Sequence, residues 1–411
     1  MNNITTYING FFNDLQVYED IHSNHNDKNE IQNAIISFIE NSDIETAFKV
    51  YECFFSTYWI GIQDSTNPFI ELLQKMKSFE ENAGLLLPKH RDHYIHSVYV
   101  FILGLAIFTQ NENYKSIFDR IILDKTNYKD SYDTNNEEFF YRWGIASLFH
   151  DIAYPLEITI KQINVYIDFI SNHGDITSNN LKVKMMIDNI DDFNCLPQIT
   201  PLPEFSNEFL CKYPNCKELN LADSIDLLAH RLDSCFNIGI NEAKKTLQDF
   251  AFKMQDEYFI DHGYYSALIV LRWYYYLIQK AKWNPAYFYY PIVDCASSIL
   301  LHNFYKHGLM KKPFNLGKFE VTRHPIAFLL VLCDELQDWN RTAYGELDKG
   351  KCAPIGFDIN ISNEILELTY KFDGGDDGDD YISKKLNGIS SVLQTDSIFI
   401  QGINLKKERM I

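Results

Sequence analysis

The longest apolar runs in the chain are Val98 to Phe108 and Ile326 to Cys333. Uninterrupted apolar stretches of this kind predict helices buried on every side. The pattern predicts one long helix from about Arg91 to Phe108 and a second from about Glu137 to Ala153, stopped by Pro155. Helical periodicity returns from Ala222 to Gln255, and a Tyr-rich helix from Tyr264 to Ile278 reads as mostly core. Ahead of these, Asp43 before Ile44 and Thr66-Asn67-Pro68 before Phe69 are helix starts. Beyond Asp348 the period changes to two. Pro354 to Ser362 and Glu364 to Phe372 alternate like strands, with Ser397 to Gln401 as a third.

Composition sets the scale. A chain of 411 residues with 46% hydrophobic content can bury a large core. The formal charge of −19 argues against an extended nucleic-acid footprint, which needs basic faces. An anionic substrate has to be captured locally. The apolar runs fall short of the roughly 20 residues a membrane helix needs, so no membrane role is expected. The start, Met1-Asn-Asn-Ile-Thr-Thr, lacks the basic and apolar pattern of a secretory signal. Eight cysteines without a CxxC pair read as reduced thiols, and the expected localisation is cytoplasmic.

The candidate chemistry sits at the ends of the apolar segments. His150-Asp151 closes the run from Trp143, and a buried carboxylate costs several kcal/mol unless a cation or donors satisfy it. Asp334 follows eight consecutive apolar residues, and His96 opens the other long run. His93 lies three residues before His96 on nearly the same face and competes with it as a ligand. Asp261 reads as a helix N-cap rather than a ligand. Next to it, His262 precedes Gly263, which permits close approach of backbone or ligand. His302 ends the stretch from Ser297. His22, His25, His173, His307 and His324 read as solvated, as does Arg231. Asp338 is expected at the solvent end of its helix.

The order His96, His150-Asp151 and a late Asp334 resembles the histidine-aspartate (HD) superfamily of metal-dependent phosphohydrolases, over roughly residues 85 to 345. The resemblance implies a mainly α fold with an HD-type helical bundle core, to which the alternating pattern beyond Asp348 adds a small C-terminal β-containing appendage. Pattern and resemblance together divide the chain into a helical lead-in (1–85), the core (86–347) with a loop-rich insertion at about 156–255, and a small α/β appendage (348–411). The insertion would serve as a lid, an oligomer contact or an inert excursion. In that family the four side chains hold one divalent ion, here Mn, Mg, Fe or Zn. His262 and His302 match histidines that bind a second ion or the substrate phosphate, so the catalytic set implied is Asp151, His262 and His302. Arg91, Arg142 and Arg341 are the phosphate contacts suggested by their nearness to ligand segments. One departure is Ile152-Ala153-Tyr154-Pro155, where many members carry Ile-Gly-Lys or Gly-His. The implied activity is hydrolysis of nucleotides, first a dGTPase-like deoxynucleoside triphosphate triphosphohydrolase. The alternatives are a phosphodiesterase for cyclic mono- or oligonucleotides and a nucleotide-sensing scaffold with weak turnover. The acidic tract Asp373 to Asp380 lacks the closing Glu of a calcium loop and reads as a solvated turn.

Overall fold

A computed structural model describes residues 3–15, 27–57, 68–83, 90–121, 134–172, 183, 187–196, 223–281, 291–340, 343–344, 354–373 and 378–410. The fold is mainly helical, with a small strand-containing C-terminal region.

At its centre lies helix α5 (Tyr94–Gln110), buried without a break from Tyr94 to Phe108. It has no polar face because every side of it meets protein. Helices α1 (Ile4–Asp14), α2 (Asp27–Glu40) and α3 (Ile44–Thr57) form the lead-in, and α1 and α3 pack directly on α5. Helix α4 (Pro68–Ala83) lies farther out, and α6 (Glu112–Ile121) folds back from the end of α5. Helix α7 (Thr134–Phe149) crosses α5 very closely at Gly104. A Cβ there would come 2.1 Å from the Trp143 ring, whose Nε1 donates to the Phe101 carbonyl at 2.8 Å. Only glycine leaves room for that indole.

Pro155 does not end the second helix as expected. Helix α7 stops at Phe149, residues 150–153 form a turn, and α8 (Tyr154–Asn172) begins with Pro155 in its first turn. Proline fits there because its missing N–H would have no partner in a first turn. His150 and Asp151 therefore occupy a turn between two helices.

After the short α9 (Ile190–Asn194), α10 (Ser224–Phe236) and α11 (Ile240–Asp256) form an antiparallel pair, and α10 is buried along most of its length against α13 (Val293–Phe304). Much of the loop-rich part of the insertion, 173–182 and 197–222, lies outside the described residues. Helix α12 (His262–Ala281) packs along α13, and α13 packs along α14 (Pro325–Leu336). The start of α14 is capped by His324, with Pro325 in its first turn.

In the C-terminal region β1 (His90–Arg91) pairs with β3 (Ala343–Tyr344), and β2 (Phe319–Glu320) pairs with β6 (Leu393–Gln394). The main sheet runs β4 (Gly356–Ile361), β5 (Ile365–Asp373), β7 (Gly402–Met410). Strands β4 and β5 are antiparallel, and β7 lies parallel to β5, from Gly402 opposite Ile365 to Met410 opposite Asp373. The third strand is thus 402–410 and not 397–401. Ile398 and Phe399 are apolar because they are buried, while their amides bond back to the Thr395 carbonyl in a turn. Gly402 leaves that turn at φ +92°, a conformation that favours glycine. Helix α15 (Gly378–Val392) covers β7 and touches α14. Of the acidic tract, 374–377 lie outside the described residues and Gly378 to Asp380 open α15. One continuous apolar core reaches from Ile4 to Leu405. No single helix among the described residues is long and apolar enough to cross a membrane.

Candidate metal centre

Six side chains converge where the ends of five elements meet. His96 comes from the first turn of α5, and His150 and Asp151 from the turn after α7. His262 is the first residue of α12, His302 lies near the end of α13, and Asp334 near the end of α14. His96 Nε2 is 2.9 Å from Asp334 Oδ1 and 4.0 Å from Asp151 Oδ2. His150 Nε2 is 3.2 Å from Asp151 Oδ2 and 3.8 Å from Asp334 Oδ1. The other oxygen of Asp151 is 3.0 Å from His262 Nε2, which in turn lies 3.1 Å from His302 Nε2.

All four imidazoles present Nε2 inward because each Nδ1 is engaged on the outside. His150 Nδ1 donates to the Ser147 carbonyl at 2.8 Å, and His302 Nδ1 to the Ile299 carbonyl. Carbonyls only accept, so these Nδ1 atoms carry hydrogen and the neutral rings offer a bare Nε2. His262 Nδ1 meets Glu157 Oε2 at 2.5 Å. His96 Nδ1 meets Gln337 Oε1. The orientation of that amide follows from its other end, since Gln337 Nε2 donates to the Trp339 carbonyl at 2.8 Å. Outer partners that fix tautomer and ring direction are what metal-binding histidines require.

The donor set fits a divalent cation. His150 Nε2 is fully buried and, although 3.2 Å from Asp151 Oδ2, completes no hydrogen bond, an arrangement that a bound cation would satisfy. Two groups of donors can each hold an ion: His96, His150 and Asp151, and Asp151, His262 and His302. Asp151 belongs to both, one oxygen turned to each. Asp334 adds to the first group, and its side chain is 33% exposed, which leaves an open side to the centre.

The charge states agree with a cation site. Burial pushes the Asp151 carboxyl up, but the His150 and His262 imidazoles outweigh it and hold it well below the usual range. Asp334 is lowered well below its ordinary value in the same way, burial being outweighed by His150 and His96. Burial lowers His150, yet Asp151 and Asp334 raise it to about 10. His262 is raised well above its ordinary value by Asp151 and Glu157 against burial. His302 goes the other way, to about 4, through burial and the neighbouring His262 and His150. Without a metal, protons on His150 and His262 offset the carboxylates.

Other residues singled out from the sequence lie elsewhere. Arg142, expected to contact phosphate, has its guanidinium buried in ion pairs with Glu138 and Asp294. Arg231, expected to be solvated, is buried and shares the same Asp294. The side chain of Arg91 and all of Arg341 lie outside the described residues, as do His22, His25 and His173. His93 stacks on Tyr154 with ring centroids 3.5 Å apart. Asp261 caps α12, accepting from the Tyr264 amide at 2.8 Å. His324 is not solvated: it is fully buried, with Nε2 2.8 Å from Ser297 Oγ. Asp338 is not at a solvent end either, being buried beyond α14 between Tyr381 and Lys385, 3.1 Å from the latter's Nζ.

Two outer partners escaped the sequence reading. Glu157 sits on the first turn of α8, six residues after Asp151, and its only sequence mark is an ordinary i,i+4 pairing with Lys161. Its carboxyl, raised by burial, is drawn down to about 2 by His262 and Lys161. Gln337 follows the end of α14 and carries no charge to flag it.

No protein family, curated protein or solved structure matches this chain.

Proposed function

We propose that the protein is a divalent-metal-dependent phosphohydrolase acting on nucleotides, with deoxynucleoside triphosphates as its first substrate class. The observation that carries this reading is the convergence of four inward-facing Nε2 atoms on Asp151 and Asp334. The resemblance to HD phosphohydrolases supports it, because the same His96, His150, Asp151 and Asp334 carry that resemblance.

Under this reading His96, His150, Asp151 and Asp334 hold one ion, and Asp151, His262 and His302 a second. A divalent ion at such a centre supplies Lewis acidity toward a phosphoryl oxygen and lowers the pKa of water. Mn, Mg, Fe and Zn all accept these ligands. Asp151 would contribute Oδ2 to the first position and Oδ1 to the second. Glu157 keeps His262 in the tautomer that directs Nε2 inward. When the second position is empty, His262 Nε2 holds a proton that can be passed to a departing oxygen. Lys161, bonded to Glu157 and 54% exposed, offers a cation beside the centre for a substrate phosphate.

The two-position arrangement also suits hydrolysis of a cyclic nucleotide, since paired ions stabilise attacking and leaving oxygens together. Product identity separates the two. Purified protein with Mn²⁺ is incubated with each dNTP, with mixtures of them, and with cyclic mono- and dinucleotides. Intact triphosphate plus nucleoside is the expected result; a linear nucleotide from a cyclic one moves the reading to a phosphodiesterase. Asp151→Ala should abolish turnover. Silence on every substrate from metal-loaded protein would replace the enzyme by a nucleotide-sensing scaffold.

A further inference from the structure

The exit of helix α14 is held from the C-terminal region at several successive residues. Tyr370 of β5 donates its hydroxyl to the Leu336 carbonyl at 2.7 Å. Tyr381 and Lys385 of α15 both meet Asp338 Oδ2, the lysine Nζ at 3.1 Å. Trp339 stacks on Phe357 of β4 with ring centroids 3.8 Å apart, and the Asn340 amide donates to the Pro354 carbonyl at 3.2 Å. Gln337, in the middle of this segment, is spent on the metal centre, where its Oε1 meets His96 Nδ1. Asp334 lies just before, in the last turn of the same helix.

Charge requires the tie at Asp338. Asp334, Glu335 and Asp338 bring three carboxylates to the C-terminal end of α14, where the helix dipole favours cations. Lys385 bonds Asp338 and lies 3.9 Å from Glu335 Oε1, while Asp334 is left to the metal position. Removing Tyr381 and Lys385 takes two donors from the buried Asp338 carboxylate, and water replaces them only if residues 336–340 open. We infer that the C-terminal region is a clamp for the first metal position: Tyr381 and Lys385 are positioning residues that hold Asp338, Asp338 fixes Gln337, and Gln337 turns the His96 ring. The inference rests on the reading of His96 and Asp334 as ligands. The second position stands apart from the clamp, because His262 and His302 take their outer partners from Glu157 and from the Ile299 carbonyl.

Two readouts on the full chain test the clamp. Tyr381→Phe combined with Lys385→Met removes both donors and keeps most of the bulk of each side chain. Mn²⁺ titration against a chelator, with the positions told apart by His96→Gln and His302→Gln, should show binding about tenfold weaker at the first position and unchanged at the second. Lys385→Arg, which keeps the ion pair, should bind like the wild type. Nitrogen-15 spectra of the histidine rings, recorded without metal, should show His96 Nδ1 losing its hydrogen bond in the double variant while His302 Nδ1 keeps its own. Wild-type affinity with an unchanged His96 spectrum overturns the inference. So does a loss shared equally by both positions with a lowered thermal midpoint, which is the mark of a purely structural tie. A wild type that binds no divalent ion overturns the metal reading by itself, and the metal-free His96 spectrum then still decides whether the clamp holds that ring.

Discussion

His262 and His302 face each other Nε2 to Nε2 at 3.1 Å. The Nδ1 of His302 is committed to a carbonyl and that of His262 to Glu157, so two neutral rings would aim lone pairs at one another. A proton or a cation has to lie between them. The same logic governs the other half of the centre, where His96 and His150 turn Nε2 toward two carboxylates and a proton or a cation has to lie between.

Metal affinity should therefore rise with pH. His150, raised to about 10 by Asp151 and Asp334, is protonated through the neutral range when no metal is bound. A cation must displace that proton, so lower pH opposes binding and higher pH favours it. Calorimetry in buffers of different ionisation enthalpy should register proton release on Mn²⁺ binding. An affinity unchanged between pH 6 and pH 9 would contradict the assignment of His150 as a ligand.

Outer partners should matter nearly as much as ligands. Gln337→Ala removes the acceptor that holds His96, and Glu157→Gln the carboxylate that holds His262. Each should weaken metal binding by about 10- to 100-fold with the fold retained. Competitive chelator titration measures this. Wild-type affinity in both variants would show that the inward Nε2 orientation does not need them.

Gly263→Ala should act on one position only. A Cβ on residue 263 would lie 2.7 Å from His302 Cε1 and 3.1 Å from the Ile299 carbonyl. The His302 ring must then move, while His96 and His150 are untouched. Elemental analysis of the variant should show a loss of metal per chain confined to the His262–His302 position. Full stoichiometry in the variant would mean that the ring can adjust.

Acid stability carries a separate signature from His324. Burial and then Arg231 lower its pKa to about 3, against Asp294. The unfolded chain takes up a proton near pH 6.5 that the native state refuses until about pH 3. Stability from this group is thus complete above the unfolded value and falls with pH below it, by about 1.4 kcal/mol per unit. Denaturant melts from pH 7 to pH 4 should show a shallower loss in His324→Gln than in the wild type. Equal slopes would show that other groups set the acid limit.

Much of the helical frame was legible in the chain. Runs such as Val98 to Phe108 and Ile326 to Cys333 have one low-energy solution, a helix buried on all sides, and the charged residues at their ends stand out because burying them costs so much. That contrast, together with the HD resemblance that preferred His96 to His93, is why His96, His150, Asp151 and Asp334 could be named without coordinates. Local pattern also marked Asp261 as a cap. What it left open depended on contacts between distant segments. Whether Arg142 and Arg231 reach solvent or a buried Asp294 depends on how α7, α10 and α13 pack, 152 residues separating Arg142 from its partner. Gln337 and Glu157 became parts of the centre only when tertiary packing set them against Nδ1 atoms 241 and 105 residues away. The choice of 402–410 over 397–401 as the third strand came from β5, which offers its edge to the segment after the turn. Sequence determined which residues are too costly to bury alone; the tertiary structure decided which groups satisfy them, because hydrogen-bond partners are chosen by proximity in space.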